Sequence, residues 1–245
     1  MKKIIPLLLF IVIMSCSPES GSNPVPTPTP SLKLTKIVET HSDWVPSNII
    51  YTTNFIYSGD VLLREEGTES PGNNTFKTEF NYVNNKLQSL NYYDNGVLSG
   101  TNTFSYTGEL ITSSLSNESN IDFTHNYIYN SSNQMKNEKQ YSNGNLDGST
   151  DYEYNAQGNI FKALWFSGYT SYEYDTNKNP YSLIFSDAVM KIYGIGYSKN
   201  NISKQTDSNG SISTFEFVYN DSGYPTQIIE KINGVSVGKT TLTYN

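Results

Sequence analysis

Gly234-Val235-Ser236-Val237-Gly238 has the spacing of a nucleophile elbow, Gly-x-Ser-x-Gly. That chemistry needs the serine on a sharp strand-to-helix turn, with an acid and a histidine later in the chain. Here the serine falls in a closing hairpin, and the two histidines, His41 and His125, both precede it. Asp175-x-Asn177-x-Asn179 spaces its oxygens as the opening of a calcium loop does. An EF-hand loop wants glycine at its sixth place and glutamate at its twelfth, and these are Pro180 and Ser186. An Asx turn between strands explains the run as well, and a weak surface calcium site stays open. Glu65, Glu66 and Glu69 gather acid just before Pro71-Gly72, where a solvated loop accounts for them. Asp151 and Glu153 share the wet face of one strand and form no acid–base pair without a cleft. Two separated histidines and no spare thiol argue against zinc. No enzyme and no cofactor is expected.

Aromatic stacking is the other chemistry on offer. Trp165-Phe166 with Tyr169 could lie against a sugar ring, although large aromatics pack cores and edges at least as readily. Trp44 is the remaining tryptophan.

These residues must be positioned by a repeat. Aromatic-x-Tyr, a short polar turn and an aliphatic recur through the chain: Phe80-Asn81-Tyr82 then Leu87, Phe104-Ser105-Tyr106 then Leu110, Tyr127-Ile128-Tyr129 then Met135. The phrase continues as Tyr152-Glu153-Tyr154 then Ile160, Tyr172-Glu173-Tyr174 then Pro180, and Phe217-Val218-Tyr219 then Pro225, and closes at Leu242-Thr243-Tyr244. Its second tyrosines run Tyr57, Tyr82, Tyr106, Tyr129, Tyr154, Tyr174, Tyr197, Tyr219 and Tyr244, at intervals of 20 to 25 residues. A fixed period marks a repeat architecture. Each unit holds two turn signals, one after the tyrosine and one at an Asn-Gly pair: Asn95-Gly96, Asn143-Gly144, Asn209-Gly210 and Asn233-Gly234. Asn-Gly suits the type I′ hairpin turn, which needs positive φ at both central residues. Subtracting turns leaves two strands per unit. Asp151, Glu153 and Asn155 alternate with Tyr152 and Tyr154, so one face is aromatic and the other wet. The fold class is all-β: a large antiparallel meander of up to eighteen strands in nine units, curled or partly closed, with its aromatic face inward. Asn179 to Tyr197 breaks the pattern and predicts a short helix or loop, with Ser186-Asp187 at its start, plugging the interior or capping an edge.

The front of the chain has a different character. Lys2 and Lys3 precede an apolar stretch from Ile4 to Met14, too short to span a bilayer as a helix and the right size for a signal peptide. It ends Ile13-Met14-Ser15-Cys16, which resembles the lipobox of bacterial lipoproteins. The resemblance implies cleavage before Cys16, the one cysteine, and lipid on that residue. Ser17 in place of Asp implies outer-membrane attachment, with the leaflet open. Residues 17–31 carry five prolines among Ser, Gly and Thr and read as an extended tether. The divisions are therefore 1–15 as signal peptide, 16–31 as lipidated cysteine and tether, and 32–245 as a single β-repeat domain.

Removing Lys2 and Lys3 takes the net charge from −7 to −9. An acidic surface excludes a grip on nucleic acid, which rests on Lys and Arg. Asparagine (29) and tyrosine (20) are abundant and arginine is represented by Arg64 alone. AT-rich codons favour that balance, but they do not place the residues.

The phrase aromatic-x-Tyr-Asn/Asp-x-x-Gly-x-aliphatic resembles the YD repeat of RHS and teneurin-type surface proteins. With the lipobox it resembles small Bacteroidetes lipoproteins of the DUF4595-like kind. The resemblance covers residues 50 to 245. The literal Tyr-Asp pair stands at Tyr93-Asp94 and Tyr174-Asp175, and the Gly-Arg-Leu usual in such repeats is missing. It implies a curled antiparallel sheet and carries over no toxin-encapsulating role. Two functions fit: a lipid-anchored surface module that binds a partner, glycans among the candidates, or a structural envelope lipoprotein packed against another outer-membrane component. A transmembrane barrel would also alternate apolar and polar residues, but lipid-facing strands favour aliphatics, with aromatics in girdles at the two ends. Here tyrosines recur mid-strand.

Overall fold

The computed structural model describes residues 31–42, 49–118, 121–193 and 198–245. Cys16, the tether up to residue 30, Trp44 and Tyr197 lie outside the described residues. Leu32–Asn245 forms a compact unit of its own.

Sixteen strands run through the described residues of that unit. β1 is Leu34–His41, β2 Ile49–Ser58, β3 Val61–Ser70 and β4 Asn74–Val83. β5 is Lys86–Asp94, β6 Val97–Thr107, β7 Leu110–Glu118 and β8 Ile121–Tyr129. β9 is Met135–Ser142, β10 Asn145–Tyr154, β11 Ile160–Trp165 and β12 Gly168–Lys178. β13 is Asn200–Asp207, β14 Ile212–Tyr219, β15 Pro225–Ile232 and β16 Val235–Tyr244. Each pairs antiparallel with its sequence neighbours, and β1 pairs with β16 from Leu34↔Tyr244 to His41↔Gly238, so the meander closes into a barrel. Closure removes both sheet edges and makes the unit self-contained.

The expected all-β antiparallel meander of up to eighteen strands is met with sixteen among the described residues, and the curled or partly closed sheet is corrected to full closure. The physical reason is a bulge that recurs at seven of the phrase tyrosines among the described residues. The register shifts at Ile56/Tyr57, Asn81/Tyr82, Ser105/Tyr106, Ile128/Tyr129, Glu153/Tyr154, Glu173/Tyr174 and Val218/Tyr219. In each case the partner strand carries an extra residue, such as Gln88 opposite Tyr82 or Thr112 opposite Tyr106. A bulge adds twist and bend. Repeated around a sheet, it brings the last strand back to the first.

The tyrosine phrase makes a ring at one end. Tyr57 donates its hydroxyl to the Leu34 carbonyl (2.8 Å), Tyr106 to Leu87 (2.8 Å) and Tyr129 to Ile111 (2.6 Å). Tyr154 donates to Met135 (2.9 Å), Tyr174 to Ile160 (2.6 Å) and Tyr244 to Pro225 (2.7 Å). Each ring therefore reaches back over the aliphatic that opens the preceding strand. Leu34, Leu62, Ile111 and Met135 are almost wholly buried there. The aliphatic after Tyr106 is thus Ile111, not the expected Leu110, because Ile111 is the residue that pairs with Tyr106. Burial pushes the phenols of Tyr57, Tyr106, Tyr154 and Tyr174 up to about 12.

The irregular segment caps this same end. A 3-10 turn, Pro180–Leu183, and a short helix, α1 (Asp187–Tyr193), follow β12. Val189 and Ile192 of α1 join the apolar cluster inside the barrel, and Phe185 meets Phe80 with ring centroids 5.9 Å apart. At the other end lie the Asn-Gly turns. Asn95, Asn143 and Asn233 have φ of 49°, 46° and 49°, each followed by a glycine at positive φ. At Asn209-Gly210 the glycine alone turns positive, because a four-residue loop closed from Asp207 to Ser211 replaces the two-residue turn.

Alternation then sorts the charges. Lys77, Lys139, Lys162, Lys204, Lys231 and Lys239 point outward, and the outer wall carries ion pairs at mid-strand. At mid-strand Lys77–Glu79 is 2.6 Å and Lys204–Glu173 2.8 Å, and Lys231 near the end of β15 reaches Glu216 at 2.5 Å. Exposed aliphatics such as Val83, Leu98, Leu146 and Val218 crowd towards the strand ends, with Leu115 the mid-strand exception. A lipid-facing wall has the reverse order, with an apolar band at the middle, where unscreened charge is costly.

Candidate functional site

β10 and β11 meet the turn to β12 at the open rim and leave a depression of about 480 Å³. Leu146, Asp147, Gly148, Ser149, Asp151, Leu164, Trp165 and Phe166 line it. Strand alternation puts Ser149, Asp151 and Leu164 on the outer wall, while Phe166 sits at the turn between β11 and β12, which pair from Trp165↔Gly168. Phe166 is fully exposed, at 106%. The floor is organised by Asn137 of β9. Its Nδ2 donates to Ser149 Oγ (2.8 Å), the Thr150 carbonyl (3.2 Å) and Asp151 Oδ1 (2.9 Å). These acceptors fix the amide's orientation, and the buried Asn137 Oδ1 receives no hydrogen bond among the described residues.

The structure divides the expected stacking trio. Trp165 pairs with Gly168 and Tyr169 with Leu164, so Trp165 faces inward and Tyr169 outward. Trp165 and Phe166 share the depression; Tyr169 lies beside it with the Lys162 ammonium 4.3 Å from its ring centre. A single platform of all three rings is not formed.

The calcium candidates are brought near one another, and the Asp175 carboxylate and Asn179 Oδ1 already accept hydrogen bonds. The Asp175 carboxylate accepts from the Asn177 and Asn201 amides (3.0 and 3.1 Å), from Asn201 Nδ2 and from the Tyr219 hydroxyl. Asn179 Oδ1 caps the 3-10 turn by accepting from the Tyr181 amide (3.0 Å), and the Asn177 carbonyl accepts from Asn200 (2.9 Å). Asp175 and Asn179 each make the Asx-type bond to the amide two residues on. Among the described residues no group of three His, Cys, Asp or Glu could hold a metal. Ser236 lies in β16 and His125 in β8, with no strand in common.

The acid cluster lies in a strand and not in the expected loop. Glu65, Glu66 and Glu69 belong to β3, where Glu66 points outward to Arg64 and the other two point inward. The inner wall of the open half collects further carboxylates: Glu39, Glu138, Asp207 and Glu230, with His41 and His125. Burial raises the Glu39 and Glu65 carboxyls above the ordinary range, opposed by His41 and by the Thr78 hydroxyl respectively. Glu138 behaves oppositely. Burial works to raise it, but His125 Nδ1 at 2.7 Å and the Tyr152 hydroxyl at 2.8 Å outweigh that and hold it low. Strand pairing, which no local spacing reveals, is what assembles this layer.

No protein-family model matches the sequence, and no curated protein matches it. Among solved structures the chain is similar to a porin-like protein from Bacteroides uniformis, at 12% identity and a TM-score of 0.61, over 86% of this chain and 98% of that one. The likeness shows a shared fold. A weaker similarity, at 14% identity and a TM-score of 0.32, runs to the Photorhabdus luminescens Tc holotoxin pore. It covers 78% of this chain and 9% of that one and carries no argument.

Proposed function

We propose that the protein is a lipid-anchored envelope protein whose barrel stands in water and binds a ligand non-catalytically at its open rim, with polysaccharide as the ligand class. The observation that carries this is the depression at β10–β12. It sets an exposed Phe166 and the Trp165 edge beside Asp147, Ser149 and Asp151, which is the pairing of flat apolar faces with hydrogen-bonding groups that a sugar ring requires. An envelope address is supported by the lipobox-like Cys16 and by the fold shared with a porin-like protein. The aromatic-x-Tyr phrase further aligns the chain with YD-repeat-like lipoproteins. A tethered domain rather than a pore is favoured by the mid-strand ion pairs of the outer wall, Lys77–Glu79 and Lys204–Glu173.

The test is titration of residues 32–245 with an array of neutral and acidic polysaccharides, followed by Phe166→Ala and Trp165→Ala. Saturable binding that weakens tenfold or more in Phe166→Ala is expected. Absence of binding to every polysaccharide would overturn the reading, and so would binding indifferent to both changes. The structural alternative has one observation in its favour: Val97, Leu98, Leu146 and Val235 are more than half exposed along the same rim. Retention of the domain on envelope protein, with no polysaccharide bound, is the result that reading expects.

A further inference from the structure

A somewhat larger cleft lies at the opposite end, between the cap and the rim. It has a volume of about 540 Å³. Ile160 and Tyr154 form its barrel side, Phe185 and Met190 its cap side, and polar groups its mouth. The Tyr154 hydroxyl is spent on the Met135 carbonyl, so the ring contributes only apolar surface. A cleft of this size with an apolar floor and few polar groups is the usual form of a small-molecule site.

The charges at the mouth do not cancel. Asp187 is taken by Lys191, at 2.7 Å and one helical turn away. Lys199 makes no ion pair among the described residues. Its ammonium instead sits over the turn at Gly158, 3.3 Å from where a Cβ would stand. Gln134 Nε2 reaches the same spot, at 3.8 Å. That amide is oriented, since Gln134 Oε1 accepts from Asn130 Nδ2 at 3.0 Å, which turns the NH2 group the other way. Asn130 is itself fixed by accepting from the Ser132 and Gln134 amides. Two donors, one of them a full positive charge, thus approach the same glycine at the cleft wall, where a side chain would crowd them. Gly158 holds φ at +84°, where a side chain would be strained.

We infer that this cleft binds a small amphipathic carboxylate, its head group held by Lys199 and Gln134 and its apolar body against Ile160, Phe185 and Met190. A charge-assisted hydrogen bond from an ammonium is the strong member of such a pair, and the neutral amide supplies direction. A cationic amphiphile of the same shape would meet Lys199 with like charge and be rejected. The site is independent of the open-rim depression, which lies on the other rim.

The experiment uses residues 32–245, which close their own barrel. Decanoate and decyltrimethylammonium, both below their critical micelle concentrations, are titrated by calorimetry against the unchanged protein, Lys199→Gln and Gln134→Leu. Lys199 is a surface residue, so its removal leaves the fold intact, and circular dichroism with the melting temperature checks this. Saturable decanoate binding is expected. Lys199→Gln should weaken it about tenfold or more and Gln134→Leu about threefold, and decyltrimethylammonium should not compete. Decanoate that fails to bind, or that binds the Lys199→Gln protein equally, would overturn the inference. Equal binding of the cationic amphiphile would overturn it too, since the site would then be a bare apolar crevice.

Discussion

The two halves of the barrel's inner wall bury polar atoms by opposite means. At the capped end six phenol hydroxyls are bonded to main-chain carbonyls one strand away, beside the buried amides of Asn159, Asn179 and Asn201. No charge is enclosed by these bonds, and each copy repeats the last. At the open end the wall encloses carboxylates and imidazoles whose partners differ from strand to strand: Glu138 has His125 and Tyr152, Asp207 has Thr170, and Glu65 has Thr78. The first arrangement is a structural ladder of neutral groups. The second is irregular and costly to desolvate unless each group is paired. The same phrase therefore builds a scaffold at one end and leaves the other free to vary.

That contrast is broken most severely from the scaffold side. Ile111 is completely buried under Tyr129, so Ile111→Ala should cost about 2–5 kcal/mol. Chemical denaturation of residues 32–245 measures it, and a loss below about 1 kcal/mol would mean that the ring is not the packed half.

Next comes a comparison of two inward glutamates. Glu138 is held low in the folded state, so its contribution is present above the unfolded carboxylate pKa and is lost as pH falls through the folded value. Glu65 is raised, so its contribution is complete below the unfolded pKa and is lost as pH rises through the folded one. Glu138→Gln should therefore destabilise by about 1.5–3 kcal/mol at pH 7, as expected for hydrogen bonds to a charged group, and by less at pH 4. Glu65→Gln should be relatively more favourable at pH 7 than at pH 4. Denaturation curves for both variants at the two pH values decide the matter, and matching pH trends would erase the distinction between them.

Smaller effects sharpen the picture. Tyr129→Phe keeps the ring and deletes one bond to a carbonyl, at a cost of about 1 kcal/mol. Lys204→Ala removes an outer-wall pair with Glu173 whose acidic partner is two-thirds exposed, and should shift stability by about 0.5 kcal/mol or less. The two can be read from the same denaturation series, and reversal of their order would contradict the assignment of inside and outside.

Much of the scaffold half was legible in the sequence. Its tyrosines recur at a near-constant interval, its turns are spelled Asn-Gly, and its alternation separates Tyr152 and Tyr154 from Asp151 and Glu153. Closure was not legible, because the bulge residues Leu63, Gln88 and Thr112 share no residue type and are defined only by the strand opposite. The open half was read least well. Glu65 and Glu69 look like loop acids until pairing with Phe55 and Tyr51 turns them inward. Trp165 and Phe166 were found from their type alone, whereas the Asn137 amide that organises their surroundings gave no local signal. Lys199 was equally silent, since what distinguishes it is the approach of its ammonium and of the Gln134 amide to Gly158.

The most direct test of the account is where the outer wall sits. Residues 32–245 should be purified without detergent and mixed with preformed phospholipid vesicles for flotation. A monodisperse protein that stays in the aqueous fraction is the predicted result. Aggregation relieved only by detergent, with flotation and ion conductance through the vesicle bilayer, would contradict it and make the barrel a pore.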